Sequence, residues 1–132
     1  MTPRPPSPRQ RINAAHAPAA IGPYCQGLLV GETLYVSGQI ALDPKTGELV
    51  SDDIQEETGQ VLDNIGAVLR EAHMDFSHVV QVTVFLRDMD DYALVNEVYA
   101  RYFSAATPAR EALEVGKLPR GARVEISCIA VR

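Results

Sequence analysis

Val80-Gln81-Val82-Thr83-Val84-Phe85-Leu86-Arg87 decides the fold class of this 132-residue chain. Val80, Val82, Val84 and Leu86 alternate with Gln81, Thr83, Phe85 and Arg87, the period-two pattern of a strand with one face in a core. Its β-branched residues suit a pleated surface. Upstream, Ile54, Thr58, Val61, Leu62, Ile65, Val68 and Leu69 recur at helical spacing and predict an amphipathic helix, with Asp52, Asp53, Glu56 and Glu57 near its positive N-terminal end. Downstream, Tyr92, Val95, Tyr99, Tyr102 and Phe103 predict a second helix packed through aromatic rings, entered through Asp88 to Asp91 as candidate caps and stopped by Thr107-Pro108. Leu34 to Ile40 alternates as a strand that puts Ser37 on the face of Tyr35 and Gln39. Arg110 to Val115 and Val124 to Val131 read as two further strands about a Leu118-Pro119-Arg120-Gly121 turn, expected to pair antiparallel.

This order predicts an α+β two-layer sandwich, a mixed sheet with two helices on one face. The uncovered face calls for a partner, and identical subunits around a symmetry axis supply one. Pro3, Pro5, Pro6 and Pro8 break regular structure, so residues 1–10 are expected to form a mobile Pro/Arg-rich tail and residues 11–132 a single domain. With 46% apolar and 22% charged residues, the composition is that of an ordinary globular protein. No apolar run is long enough for a membrane span, and the first residues lack the apolar centre of a secretory signal. Their four prolines also suit an amphipathic transit peptide poorly, so the expected compartment is the cytoplasm. Net charge is −5, and Arg4, Arg9 and Arg11 mask a still more acidic body that would repel nucleic acid. Cys25 and Cys128 are expected to be reduced thiols.

General motif searches return little: the chain has no phosphate-cradling glycine loop, GxSxG, CxxC or HExxH. His73, Asp75 and His78 fall in a connection and read as a solvated loop better than as metal ligands. The chemistry must then come from polar residues on otherwise apolar elements. Arg110, facing away from Leu113 and Val115, either pairs with an acid or recognises a planar anion. Glu125, facing away from Val124, Ile126 and Cys128, points to whatever covers the outer side of the sheet, for proton work or for an intersubunit salt bridge. Tyr24, Ser37 and Asn96, taken singly, are commonly structural hydrogen bonders.

An ordered set of segments resembles the RidA/YjgF family: Ala17 to Tyr24, Val36-Ser37-Gly38-Gln39-Ile40, Pro44 to Glu48, Leu62-Asp63-Asn64-Ile65, Val82 to Asp88, Val95-Asn96, Pro108-Ala109-Arg110 and Val124-Glu125-Ile126. The resemblance implies a chorismate-mutase-like subunit, a homotrimer with a central barrel of sheets, and clefts between neighbours. It also implies hydrolysis of reactive 2-imino acids such as 2-iminobutanoate and 2-iminopropanoate to 2-keto acids and ammonia, with no cofactor and no metal. By position, Arg110 would hold the substrate carboxylate, Glu125 would activate water, and Tyr24, Ser37 and Asn96 would line the cleft. The chain departs from the family where Glu111 and Ala112 follow Arg110, in place of a small residue and a cysteine. A module that binds 2-keto acids without turnover would use the same Arg110, whereas ribonuclease activity is opposed by the acidic surface.

Overall fold

The computed structural model describes residues 1–132. Six strands and two helices follow one another as β1 (Arg9–Ile12), β2 (Gly27–Val30), β3 (Thr33–Gln39), α1 (Ile54–Glu71), β4 (Val79–Leu86), α2 (Tyr92–Tyr102), β5 (Ala109–Glu114) and β6 (Val124–Val131). They build one mixed sheet in the order β1-β2-β3-β6-β4-β5, with both helices packed on one face, the expected α+β sandwich. No helix is long and apolar enough to cross a membrane.

The core is the seam between that face and the helices. Val82, Val84 and Leu86 of β4 and Val124, Ile126 and Cys128 of β6 meet Val61, Leu62, Ile65 and Leu69 of α1, all but fully removed from water. Asp53 opens α1 as its N-cap, its carboxylate accepting the Glu56 N–H at 2.8 Å. Asp88 caps only the short turn Met89–Asp91 that precedes α2, and Asp91 makes no side-chain cap bond.

Four local expectations need correction. Residues Arg9 and Gln10 do not belong to an unstructured tail, because they pair with Val30 and Leu29 and extend the sheet by one edge strand. β5 and β6 are not a hairpin: β5 runs parallel to β4, and β6 lies between β3 and β4, antiparallel to both. The reason is that α2 carries the chain back to the end where β4 began, as a parallel pair requires, while the connector of residues 115–123 is too long to impose a hairpin. A register shift between Val36 and Gln39 breaks the alternation of β3, so Gln39 is buried opposite Ile126 while Tyr35 stays exposed. A second shift between Val79 and Gln81 leaves Val80 outside the buried set, with Val79 in its place.

Glu57 is the notable charge in this interior. It is fully buried on the core side of α1, where it accepts from the Arg123 backbone N–H at 2.7 Å and from Arg123 Nε at 2.8 Å, tying the helix to the start of β6. A carboxylate stripped of water needs such charge-assisted donors. Glu57→Ala would orphan the Arg123 amide and leave the guanidinium only its Nη2 bond to the Ser51 carbonyl, at 3.0 Å. It should destabilise the fold by about 3 kcal/mol, read from urea denaturation, and Glu57→Gln by less because it keeps an acceptor.

Candidate active site

Arg110 leaves β5 on the helix side of the sheet. Its Nη1 donates to Asn96 Oδ1 at 2.8 Å and its Nη2 to the Tyr92 hydroxyl at 2.7 Å. The guanidinium carbon lies 4.6 Å from the centroid of the Tyr99 ring and 5.5 Å from that of Tyr92, within cation–π range of both. Tyr92, Asn96 and Tyr99 sit at i, i+4 and i+7 on α2, so one helix face presents all three. The two phenols differ: the Asn96 amide and the Arg110 charge hold Tyr92 below the usual tyrosine value, whereas burial pushes Tyr99 up. The Tyr99 hydroxyl is buried with no hydrogen-bond partner.

Glu125 leaves β6 on the opposite, uncovered side. It is paired in register with Phe85 and packs over Gly38, where an added Cβ would lie 3.0 Å from its Cδ and collide with the carboxylate. Partial burial raises its carboxyl above the ordinary value. A recess of about 80 Å³ adjoins it, walled by Tyr24, Gly38, Ile40, Leu42 and Pro119. Two buried amides hold these walls. Gln26 donates to the Ala17 and Pro18 carbonyls at 3.3 and 2.8 Å and accepts from the Ala14 N–H at 2.6 Å. Asn64, on α1, donates to the Ile40 and Leu42 carbonyls at 3.2 and 2.9 Å. Ser37 donates to the Cys25 carbonyl at 2.6 Å, fixing the chain next to Tyr24.

The five residues singled out from the sequence thus fall into two groups. Tyr24 lies in the wall beside Glu125 and Ser37 braces the segment next to it, while Asn96 accompanies Arg110 on the other face. Glu111 points away from Arg110 and accepts from Gln81 and Thr83, both at 3.2 Å, so it leaves the guanidinium unneutralised. Asp75 and His78 serve local capping, the Asp75 N–H donating to His78 Nδ1 at 3.0 Å. Sequence reasoning missed Tyr92 and Tyr99 as partners of Arg110, reading them as packing residues. It also missed Gln26 and Asn64, although Asn64 stands among the apolar residues of α1, a position where a buried amide must have partners.

A strand-borne guanidinium ringed by α2 and a half-buried carboxylate beside a small apolar recess can bind a planar anion and move a proton. A family model described as Endoribonuclease L-PSP matches residues 14–132. A protein of Bos taurus named 2-iminobutanoate/2-iminopropanoate deaminase is 51% identical over 94% of this chain and 90% of its own. A RutC family protein of Pyrococcus horikoshii is 48% identical over 94% of this chain and 98% of its own. Among solved structures, the YjgF gene product of Escherichia coli superposes with a TM-score of 0.89 at 44% identity, covering 93% of this chain and 98% of its own. Escherichia coli TdcF with bound serine gives 0.90 at 38% identity, with the same shares of each chain. The chain belongs to the RidA/YjgF family, whose model carries the description Endoribonuclease L-PSP.

Proposed function

We propose that this protein is a cytoplasmic homotrimer that hydrolyses small 2-imino acids, 2-iminobutanoate and 2-iminopropanoate, to 2-keto acids and ammonia in clefts between subunits. The observation that carries the reading is the placement of Arg110 and Glu125 on opposite faces of one sheet. Within one subunit they cannot meet on one small substrate. Arg110 stands on the edge strand, and the uncovered face around Glu125 carries the exposed apolar side chains Tyr35 and Leu113. A head-to-tail ring would bring the Arg110 edge of one subunit to the Glu125 face of the next and bury that apolar surface. The name borne by the mammalian relatives supports the substrate class.

The chemistry suits the two groups. An imine carbon is already an electrophile, so the site has to orient water and shuttle a proton. Arg110 binds the substrate carboxylate and fixes the plane of the adjacent C=N. Glu125, as carboxylate, takes a proton from water as the oxygen adds to C2 of the protonated imine, giving a neutral carbinolamine. Glu125 returns that proton to the amine nitrogen, and as the C–N bond breaks the carboxylate takes the proton of the new hydroxyl, so that C2 becomes the carbonyl of a 2-keto acid and ammonia leaves. Tyr24, Ser37 and Asn96 shape and brace the two halves of the cleft.

The test is intersubunit complementation. Arg110→Ala and Glu125→Gln trimers should each keep no more than about a tenth of wild-type turnover, and subunits unfolded together and reassembled from equal amounts should regain about one quarter of it, the share of clefts that receive both intact groups. No recovery in mixed trimers would place both groups of each site in one subunit. The assay couples a dehydratase that releases the imine to keto-acid detection in the presence of a nucleophilic scavenger.

Arg110→Ala and Arg110→Lys should both lower kcat/KM by roughly ten- to a hundredfold with trimer mass unchanged, because lysine supplies charge without the bidentate fork. Retained binding with a dissociated trimer would instead make Arg110 a structural ion-pair partner.

Glu125→Gln should slow turnover by roughly a hundredfold or more while 2-keto-acid binding persists. The acid limb of kcat/KM should lie above the ordinary carboxylate range and vanish in this variant. Because burial raises the folded-state pKa, Glu125 favours the fold below the ordinary carboxyl range, and that contribution is lost as pH rises through the raised value. The variant should therefore melt no lower than wild type at neutral pH, its relative stability declining under acid.

A further inference from the structure

We infer that Tyr92 is a positioning residue for the carboxylate-binding step: its hydroxyl locks the rotation of the Arg110 guanidinium. The inference rests on the reading of Arg110 given above and goes beyond it by assigning the group that makes an otherwise mobile side chain into a fixed fork.

An arginine carries four rotatable bonds, and its value in recognising a planar anion depends on how many of them are settled before the anion arrives. Three contacts settle them here. The Tyr99 ring under the guanidinium fixes the tilt of its plane. Asn96 Oδ1 accepts from Nη1, and Tyr92 Oη accepts from Nη2. With Asn96 alone, the plane could still swing about the one bonded nitrogen; acceptors on both terminal nitrogens remove that freedom. Each takes one N–H of the five, so Nε and one hydrogen on each terminal nitrogen remain for a ligand carboxylate. The Tyr92 bond, at 2.7 Å, is short for N–H···O, as expected when the donor is charged. The Tyr92 phenol is held below the usual tyrosine value first by the Asn96 amide and then by the Arg110 charge. Tyr99 cannot replace it, because its hydroxyl makes no hydrogen bond and its contribution is the ring face. The sequence consequence is specific: at position 92 phenylalanine would keep the ring contact and lose only the lock.

The experiment compares wild type, Tyr92→Phe and Arg110→Lys as assembled proteins. In 15N-resolved spectra of arginine side chains, with Arg110 identified by its absence from Arg110→Lys, the terminal N–H lines of Arg110 should be separate in wild type. In Tyr92→Phe they should merge by rotation. Calorimetric binding of 2-oxobutanoate, the keto acid expected from 2-iminobutanoate, should weaken about five- to tenfold in Tyr92→Phe, as for loss of one charge-assisted hydrogen bond. kcat/KM should fall in parallel, with melting temperature unchanged because the ring stays in place. Merged lines without weaker binding would show that the lock does not serve the ligand, and weaker binding without merged lines would make Tyr92 a direct ligand contact; either overturns the inference. If wild type binds 2-oxobutanoate but does not hydrolyse imines, the proposed reaction fails while the role of Tyr92 is still decided by binding and spectra. If wild type does not bind 2-oxobutanoate, both fall.

Discussion

Side chains on a strand alternate between two faces, and in this protein one face is closed by helices while the other is not. Every functional group inherits its surroundings from that parity. Arg110 falls on the closed side at the sheet edge, where α2 lies within reach of a long side chain and can supply acceptors and ring faces. Glu125 falls on the open side, where no helix of its own chain can neutralise it. The raised carboxyl of Glu125 and the tight ligation of Arg110 are thus two results of one geometric rule. A single register shift in β3 adjusts it locally, turning Gln39 inward and leaving bare glycine backbone where the Glu125 carboxylate lies.

Three of the polar groups inside the fold share a second regularity, bridging elements that sequence order would leave independent. Glu57 fastens α1 to the first turn of chain before β6, Asn64 fastens α1 to the segment after β3, and Gln26 gathers the loop of residues 14–18. Two of the walls of the recess beside Glu125, those held by Asn64 and Gln26, are therefore defined by buried hydrogen bonds, whose geometry is less forgiving than apolar contact. The thiol of Cys128, by contrast, is pushed up to about 12 by burial and acts as one more apolar filler of the core.

Periodicity made α1, β4, β6 and the face assignments of Arg110 and Glu125 legible from the residues alone, because alternation and helical spacing are strong, local and enforced by one continuous core. The partners of the strands were not legible in the same way. β5 and β6 are adjacent in sequence, and nothing in their side chains distinguishes a hairpin from a pair of strands separated by β4; the decision lies in where α2 returns the chain. The shift in β3 likewise leaves no mark in an alternating pattern except that Gly38 breaks it. Glu57 looked like a charge suited to the helix N-terminus, and only the approach of Arg123 reveals why it is inside. Tyr92 and Tyr99 read as packing aromatics for the same reason: a phenol's use as ring or as oxygen depends on what stands opposite.

The central position of β6 also orders events during synthesis. β3 and β4 do not touch each other in the sheet; both hydrogen-bond to β6, whose residues 124–131 are translated after every other strand. Until that segment has left the ribosome, the nascent chain holds two unjoined pieces, β1-β2-β3 with one open edge and β4-β5 with another, and α1 has no completed sheet to cover. Long-range pairing of this kind is slow to form and leaves sticky edges exposed while it is pending. Folding is therefore completed only when β6 inserts as a single strand between β3 and β4.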